Sequence, residues 1–176
     1  LGIALHRLGQ VDAAVESYEK AIAVNPDYAE AHNNLGNVFN ELGQMDDAVK
    51  SFEKALAVNP DYANAHNNLG IASKQLGQLD DAVESYEKAI AVNPNYVEAH
   101  NNLGNAFKEL GQLDAAVESY EKAVTLKPDY AYAHYNLGIA FKELGQMDEA
   151  VKSFEKALAI KPDFAEAQNN LDNAKV

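Results

Sequence analysis

Two kinds of amphipathic segment alternate along this chain. From Ala29 to Leu42, apolar side chains fall at Ala31, Leu35, Val38, Phe39 and Leu42, the spacing of one face of an α-helix. Gly43-Gln44 interrupts the pattern, and a second helical stripe follows at Ala48, Val49, Phe52, Ala55, Leu56 and Val58. Asn59-Pro60-Asp61 ends that stripe, because proline disfavours helix in the residue before it. The pattern predicts two helices joined by a tight turn. In it Gly43 is a left-handed stop, Asp46 the N-cap of the second helix, and Pro60 part of the first turn of the next element.

The same pattern returns every 34 residues. Gly36, Gly70, Gly104 and Gly138 form one series, which Gly2 extends backwards; Gly43, Gly77, Gly111 and Gly145 form another, extended by Gly9. Pro26, Pro60, Pro94, Pro128 and Pro162 form a third, so all ten glycines and five prolines lie on one grid. A fixed period of this length marks a repeat array with a core distributed along a stack. The units run 29–62, 63–96, 97–130 and 131–164, preceded by a partial first repeat at 1–28 and followed by a partial helix at 165–176. Asp12, Asp80, Asp114 and Asp148 are the N-cap equivalents of Asp46. Gly36, Ala48 and Ala55 recur as small residues that let paired helices approach closely. The aromatics at 18, 52, 86, 120 and 154 are expected in the core, as are Tyr28, Tyr62, Tyr96, Tyr130 and Phe164 at the junctions.

The recurring Leu35-Gly36, Phe39, Gly43, Ala48, Phe52, Ala55 and Pro60 resemble the tetratricopeptide repeat family, and the resemblance covers the whole chain. It implies an all-α fold, an α-solenoid of stacked antiparallel helix pairs coiled into a right-handed superhelix. It also implies a concave groove lined by the first helix of each pair, and a non-catalytic scaffold that binds an extended peptide or protein segment there. The chain departs from the family pattern at His32, His66, His100 and His134, where a large aromatic is common, at Ser73, and at Asp172 in the last helix.

By that analogy the groove positions of unit 29–62 are Glu30, Asn33, Asn34, Asn37, Asn40 and Glu41, and simple periodicity puts them on the polar side of the helix. One column of asparagines reads Asn34, Asn68, Asn102, Asn136 and Asn170; a second reads Asn33, Asn67, Asn101 and Asn169; Asn37 and Asn105 add to them. A carboxamide both donates and accepts, so it can pair with any peptide backbone. Asparagine is also a mediocre helix former, and intrinsic preference does not explain a column of it. The columns resemble the asparagine ladder in the repeat domain of O-linked N-acetylglucosamine transferases, which implies a grip on extended polypeptide. Lys74, Lys108 and Lys142 form a basic column suited to an acidic segment or a terminal carboxylate. Tyr132 and Tyr135, three residues apart on one helix side, are candidates for gripping an apolar or proline side chain.

Composition narrows the function classes. The formal net charge of −13 argues against binding nucleic acid or an anionic membrane. The absence of cysteine excludes disulfides and thiolate-bound metal, and fits a reducing, cytoplasmic setting. The four histidines belong to different units, whose helix layers stack ~8–10 Å apart, whereas metal ligands must lie at ~2 Å; they are expected to be packing groups. No nucleophile has a base and orienter in register, and no phosphate-binding glycine loop occurs, so neither an active site nor a cofactor is expected. The chain opens at Leu1 inside a repeat and reads as a fragment of a longer protein. Two alternatives stay open: a substrate-recruiting arm of a larger transferase-type enzyme, and a homo-oligomeric element assembled through exposed terminal repeats.

Overall fold

A computed structural model describes residues 1–174. Those residues hold eleven α-helices: α1 (Gly2–Arg7), α2 (Val11–Val24), α3 (Ala29–Glu41), α4 (Met45–Val58), α5 (Ala63–Gln75), α6 (Leu79–Val92), α7 (Val97–Glu109), α8 (Leu113–Leu126), α9 (Ala131–Glu143), α10 (Met147–Ile160) and α11 (Ala165–Ala174). Residues 175 and 176 of the expected terminal helix lie outside the described residues. Two compact units divide the chain, Leu1–Pro94 and Asn95–Val176. In the first, α1 to α6 pack each on the next, and α3 also touches α5. In the second, α7 to α11 do the same, with α7 against α9 and α9 against α11.

The tight turn is built as a shared helix end. Gly43 sits at φ +74°, where a side chain would be strained, and its N–H donates to the Asn40 carbonyl at 3.1 Å. The Gln44 N–H donates to the Phe39 carbonyl at 2.9 Å, while the Gln44 carbonyl accepts the Ala48 N–H at 3.0 Å. One residue therefore closes α3 and opens α4. This corrects the expected caps: Gln10, Gln44, Gln78, Gln112 and Gln146 occupy the N-cap positions, without side-chain capping bonds. Asp12, Asp46, Asp80, Asp114 and Asp148 lie inside the first helical turn. There a carboxylate still complements the exposed N–H groups. The turn is too short to leave a separate capping residue.

The second connection is a β-turn over Asn59–Tyr62, closed by the Tyr62 N–H on the Asn59 carbonyl at 3.3 Å and by the Asp61 N–H on Asn59 Oδ1 at 3.2 Å. Pro60 thus occupies the second turn position, ahead of α5 instead of within its first turn, and pre-sets the backbone there. His66 donates from Nε2 to the Pro60 carbonyl at 2.8 Å; His32 to Pro26 (2.8 Å) and His134 to Pro128 (2.9 Å) repeat the bond. A carbonyl can only accept, so each ring carries its proton on Nε2. The histidines are packing groups that clamp the junction, buried where they stand.

Between paired helices, large rings fill the space that glycine leaves. Phe52 is 1% exposed, and a Cβ added at Gly36 would stand 2.6 Å from its Cε1; Tyr120 repeats this against Gly104 at 2.6 Å. Of the junction aromatics Phe164 meets the core expectation and the tyrosines depart from it. Phe164 is buried, Tyr62, Tyr96 and Tyr130 are half-buried, and Tyr28 is 44% exposed. A tyrosine hydroxyl is solvated at least cost at the surface, whereas phenylalanine has nothing to keep wet.

Candidate functional site

The asparagine columns lie on α3, α5, α7, α9 and α11, the first helices of the pairs. Apolar residues of α3 such as Leu35 and Val38 pack on Ala14 and Tyr18 of α2, the second helix of the preceding pair, and the asparagines occupy the more polar positions of the helix. Asn34, Asn68, Asn102, Asn136 and Asn170 are half-buried, whereas Asn33, Asn67 and Asn101 are buried at 4–6% exposure. Asn33, Asn67 and Asn101 of the second column thus sit beneath the surface, whereas Asn169 is exposed, and hydrogen bonds from the first column reach Asn33 and Asn101.

The joints differ between the units. In the first unit Asn68 donates from Nδ2 to Asn33 Oδ1 at 3.1 Å and to Asn37 Oδ1 at 3.0 Å. Both of its N–H groups are then engaged, and its carbonyl oxygen is the group left to offer. In the second unit Asn136 donates to Asn101 Oδ1 at 3.1 Å, while Asn105 Oδ1 instead accepts the Tyr120 hydroxyl at 2.8 Å. Asn136 therefore keeps one N–H as well as its carbonyl oxygen. Burial raises the Tyr120 hydroxyl pKa well above its usual range, with Glu143 and Glu109 adding to the effect, so the hydroxyl remains a donor. At the end of the second unit Asn170 donates to the Glu166 carbonyl at 2.9 Å and to the Tyr135 hydroxyl at 3.4 Å.

The lysine column is half-buried at Lys74, Lys108 and Lys142. Lys142 reaches the following first helix, donating to Asn170 Oδ1 at 3.1 Å. In the partial first repeat His6 takes the corresponding position, with Nε2 2.8 Å from Glu41 Oε2.

Tyr132 and Tyr135 share a helix face as expected, but their surroundings differ. Tyr135 is half-buried between Phe164 (ring centroids 4.8 Å apart) and Phe154 (6.0 Å), while Tyr132 is 51% exposed and meets Phe164 edge-on at 5.1 Å. The Lys161 ammonium lies 4.9 Å from the Tyr132 ring centroid and donates to its hydroxyl at 3.0 Å, which raises the lysine pKa. Tyr132 thus packs on Phe164 and Lys161, neither of which sequence spacing suggested, and only Tyr132 presents a ring to solvent.

Clefts absent from the sequence reading open on the other side of the stack, between second helices. One of about 390 Å³ is lined by Leu56, Pro60, His66, Lys88 and Val92; its counterpart two repeats on, about 460 Å³, is lined by Val124, Pro128, His134, Lys156 and Ile160. Among the described residues no cluster of three or more His, Cys, Asp or Glu could hold a metal ion, and no helix is long and apolar enough to cross a membrane.

Stacked helix pairs closed by glycine and proline on one grid define a class of repeat protein, and comparison with known families agrees. The TPR repeat matches residues 2–43, 36–77, 72–111 and 104–145, and the tetratricopeptide repeat matches residues 131–164. The chain belongs to the tetratricopeptide repeat family. Among solved structures it is similar to MamA, at 31% identity and a TM-score of 0.86, covering 94% of this chain and 97% of that one. It is also similar to YrrB, described as a TPR protein with an unusual peptide-binding site, at 26% identity and a TM-score of 0.81, covering 96% and 87%. TTC0263 of Thermus thermophilus, a thermophilic TPR protein, is 28% identical at a TM-score of 0.73, covering 99% and 95%. No curated protein sequence matches the chain.

Proposed function

We propose that this protein is a non-catalytic interaction scaffold that holds an extended polypeptide against its first helices. The observation that carries the reading is the half-buried first column of asparagines, held in place by the buried second column through the Asn68–Asn33 and Asn136–Asn101 bonds. A carboxamide fixed by its neighbours loses less conformational freedom on binding, and its remaining groups match the N–H and C=O of a peptide backbone whatever the side chains. Lys108 and Lys142 supply positive charge beside the column in an acidic protein, which favours an acidic segment or a terminal carboxylate. The exposed Tyr132 ring adds an apolar contact at one end. The peptide-binding site of the similar YrrB supports the same kind of ligand.

Selection from a random-peptide display library tests this, with Asn68→Ala/Asn102→Ala/Asn136→Ala run in parallel. The reading expects peptides enriched on the wild type and lost on the triple variant, with both proteins equally folded by circular dichroism. Equal enrichment on the two would refute it.

A further inference from the structure

The repeat-equivalent positions Phe52 and Tyr120 differ by one hydroxyl, and the asparagines in front of them are wired differently. Both rings pass close to a first-helix glycine, Gly36 or Gly104, so the ring end lies beside the next residue, Asn37 or Asn105. Phenylalanine has nothing to give Asn37, and Asn37 Oδ1 accepts from Asn68 at 3.0 Å. The Tyr120 hydroxyl claims Asn105 Oδ1 at 2.8 Å, and Asn136 makes no bond to it. We propose that Tyr120 is a positioning residue that sets what its unit can offer a bound polypeptide. By occupying Asn105 it leaves Asn136 an N–H donor that Asn68 lacks. A ligand carbonyl can then be read at Asn136, whereas at Asn68 only a ligand N–H can. The choice between phenylalanine and tyrosine at a core position thus specifies the hydrogen-bonding polarity of the face on the far side of the helix. This rests on the peptide-binding reading, but its first half concerns the free protein alone.

The test exploits the two Nδ2 protons of each asparagine, which resonate separately in the isotope-labelled full chain. In the wild type one Nδ2 proton of Asn136 should be protected from solvent exchange and the other not, while both of Asn68 should be protected. Tyr120→Phe should protect both on Asn136, and Phe52→Tyr should release one on Asn68. Each variant copies a residue already present at an equivalent position, so both should fold. A peptide selected on the wild type should bind Tyr120→Phe about threefold to tenfold more weakly, the size of one hydrogen bond, with the variant still fully folded at the temperature of the assay. Unchanged proton patterns in both variants would overturn the wiring. Changed patterns with affinity held within about twofold would overturn the role in specificity. If the library yields no peptide, the peptide-binding reading fails and the specificity role falls with it, while the proton patterns still report on the wiring.

Discussion

The two compact units carry the same repeat, yet their first-helix faces are finished differently. In Leu1–Pro94 the asparagines bond to one another, Asn68 to both Asn33 and Asn37, and His6 meets Glu41 apart from them. In Asn95–Val176 Asn136 bonds to Asn101, Asn105 turns instead to the Tyr120 hydroxyl, and Asn170 is met by Lys142 and Tyr135. The backbone and the small residues are common to both units. A few interior and junction side chains set the difference, which shows that a regular stack can vary its surface chemistry from behind the surface.

The strongest way to break the comparison is to remove the rings. Phe52→Ala and Tyr120→Ala should each cost about 3–5 kcal/mol in denaturant unfolding, because both rings are fully enclosed. Tyr120→Phe should cost less than about 1 kcal/mol, with Asn136 taking up the vacated acceptor; a loss comparable to the alanine variant would contradict the exchange of partners. Next come the glycines under the rings. Gly36→Ala and Gly104→Ala should each lower stability by about 1–3 kcal/mol, and equally, because the clash is 2.6 Å in both units. Unequal losses would mean that the packing beneath the two faces differs as well as the wiring.

A subtler difference appears in alkali. The Tyr120 hydroxyl is held above its ordinary value of 10.0, first by burial and then by Glu143 and Glu109, so the folded state keeps a proton that the unfolded chain releases. The resulting stability is full below pH 10 and declines as pH rises past it. Tyr120→Phe should flatten that decline in a titration of unfolding free energy, although Tyr18, Tyr62, Tyr130 and Tyr135, which are raised in the same direction, will leave a residual slope. A small effect is also expected from Tyr132→Ala. This substitution removes an edge-on contact of a half-exposed ring and should cost about 1 kcal/mol, while weakening any peptide that uses that end of the face.

The helices were legible because glycine, proline and apolar positions repeat with one period, and a left-handed glycine and a proline turn admit few alternatives. Gly43 and the histidines behave as their residue types dictate. The caps were less legible: Asp46 has the right chemistry for an N-cap, but backbone geometry gives that place to Gln44, whose single residue serves two helix ends. At the candidate site, the asparagine columns stood out in the sequence, but their division into a buried supporting row and a half-buried outer row did not. That division depends on which carboxamide reaches which across neighbouring helices. The hydroxyl of Tyr120 was visible too, but helical register alone marks positions 52 and 120 equally as core. Likewise, spacing put Tyr132 and Tyr135 on one face without revealing that Phe154 and Phe164 would enclose one of them.

A polypeptide held by the first helices must touch their asparagines. The most direct measurement is a nuclear magnetic resonance titration of the labelled chain with a library-selected peptide, following the asparagine side-chain amides. Shifts are expected at Asn34, Asn68, Asn102 and Asn136, extending to Lys108 and Tyr132, with the residues around His66 and His134 unmoved. Shifts centred on Leu56, Val92, Val124 and Ile160, with the asparagine amides silent, would place binding in the clefts between second helices and contradict it.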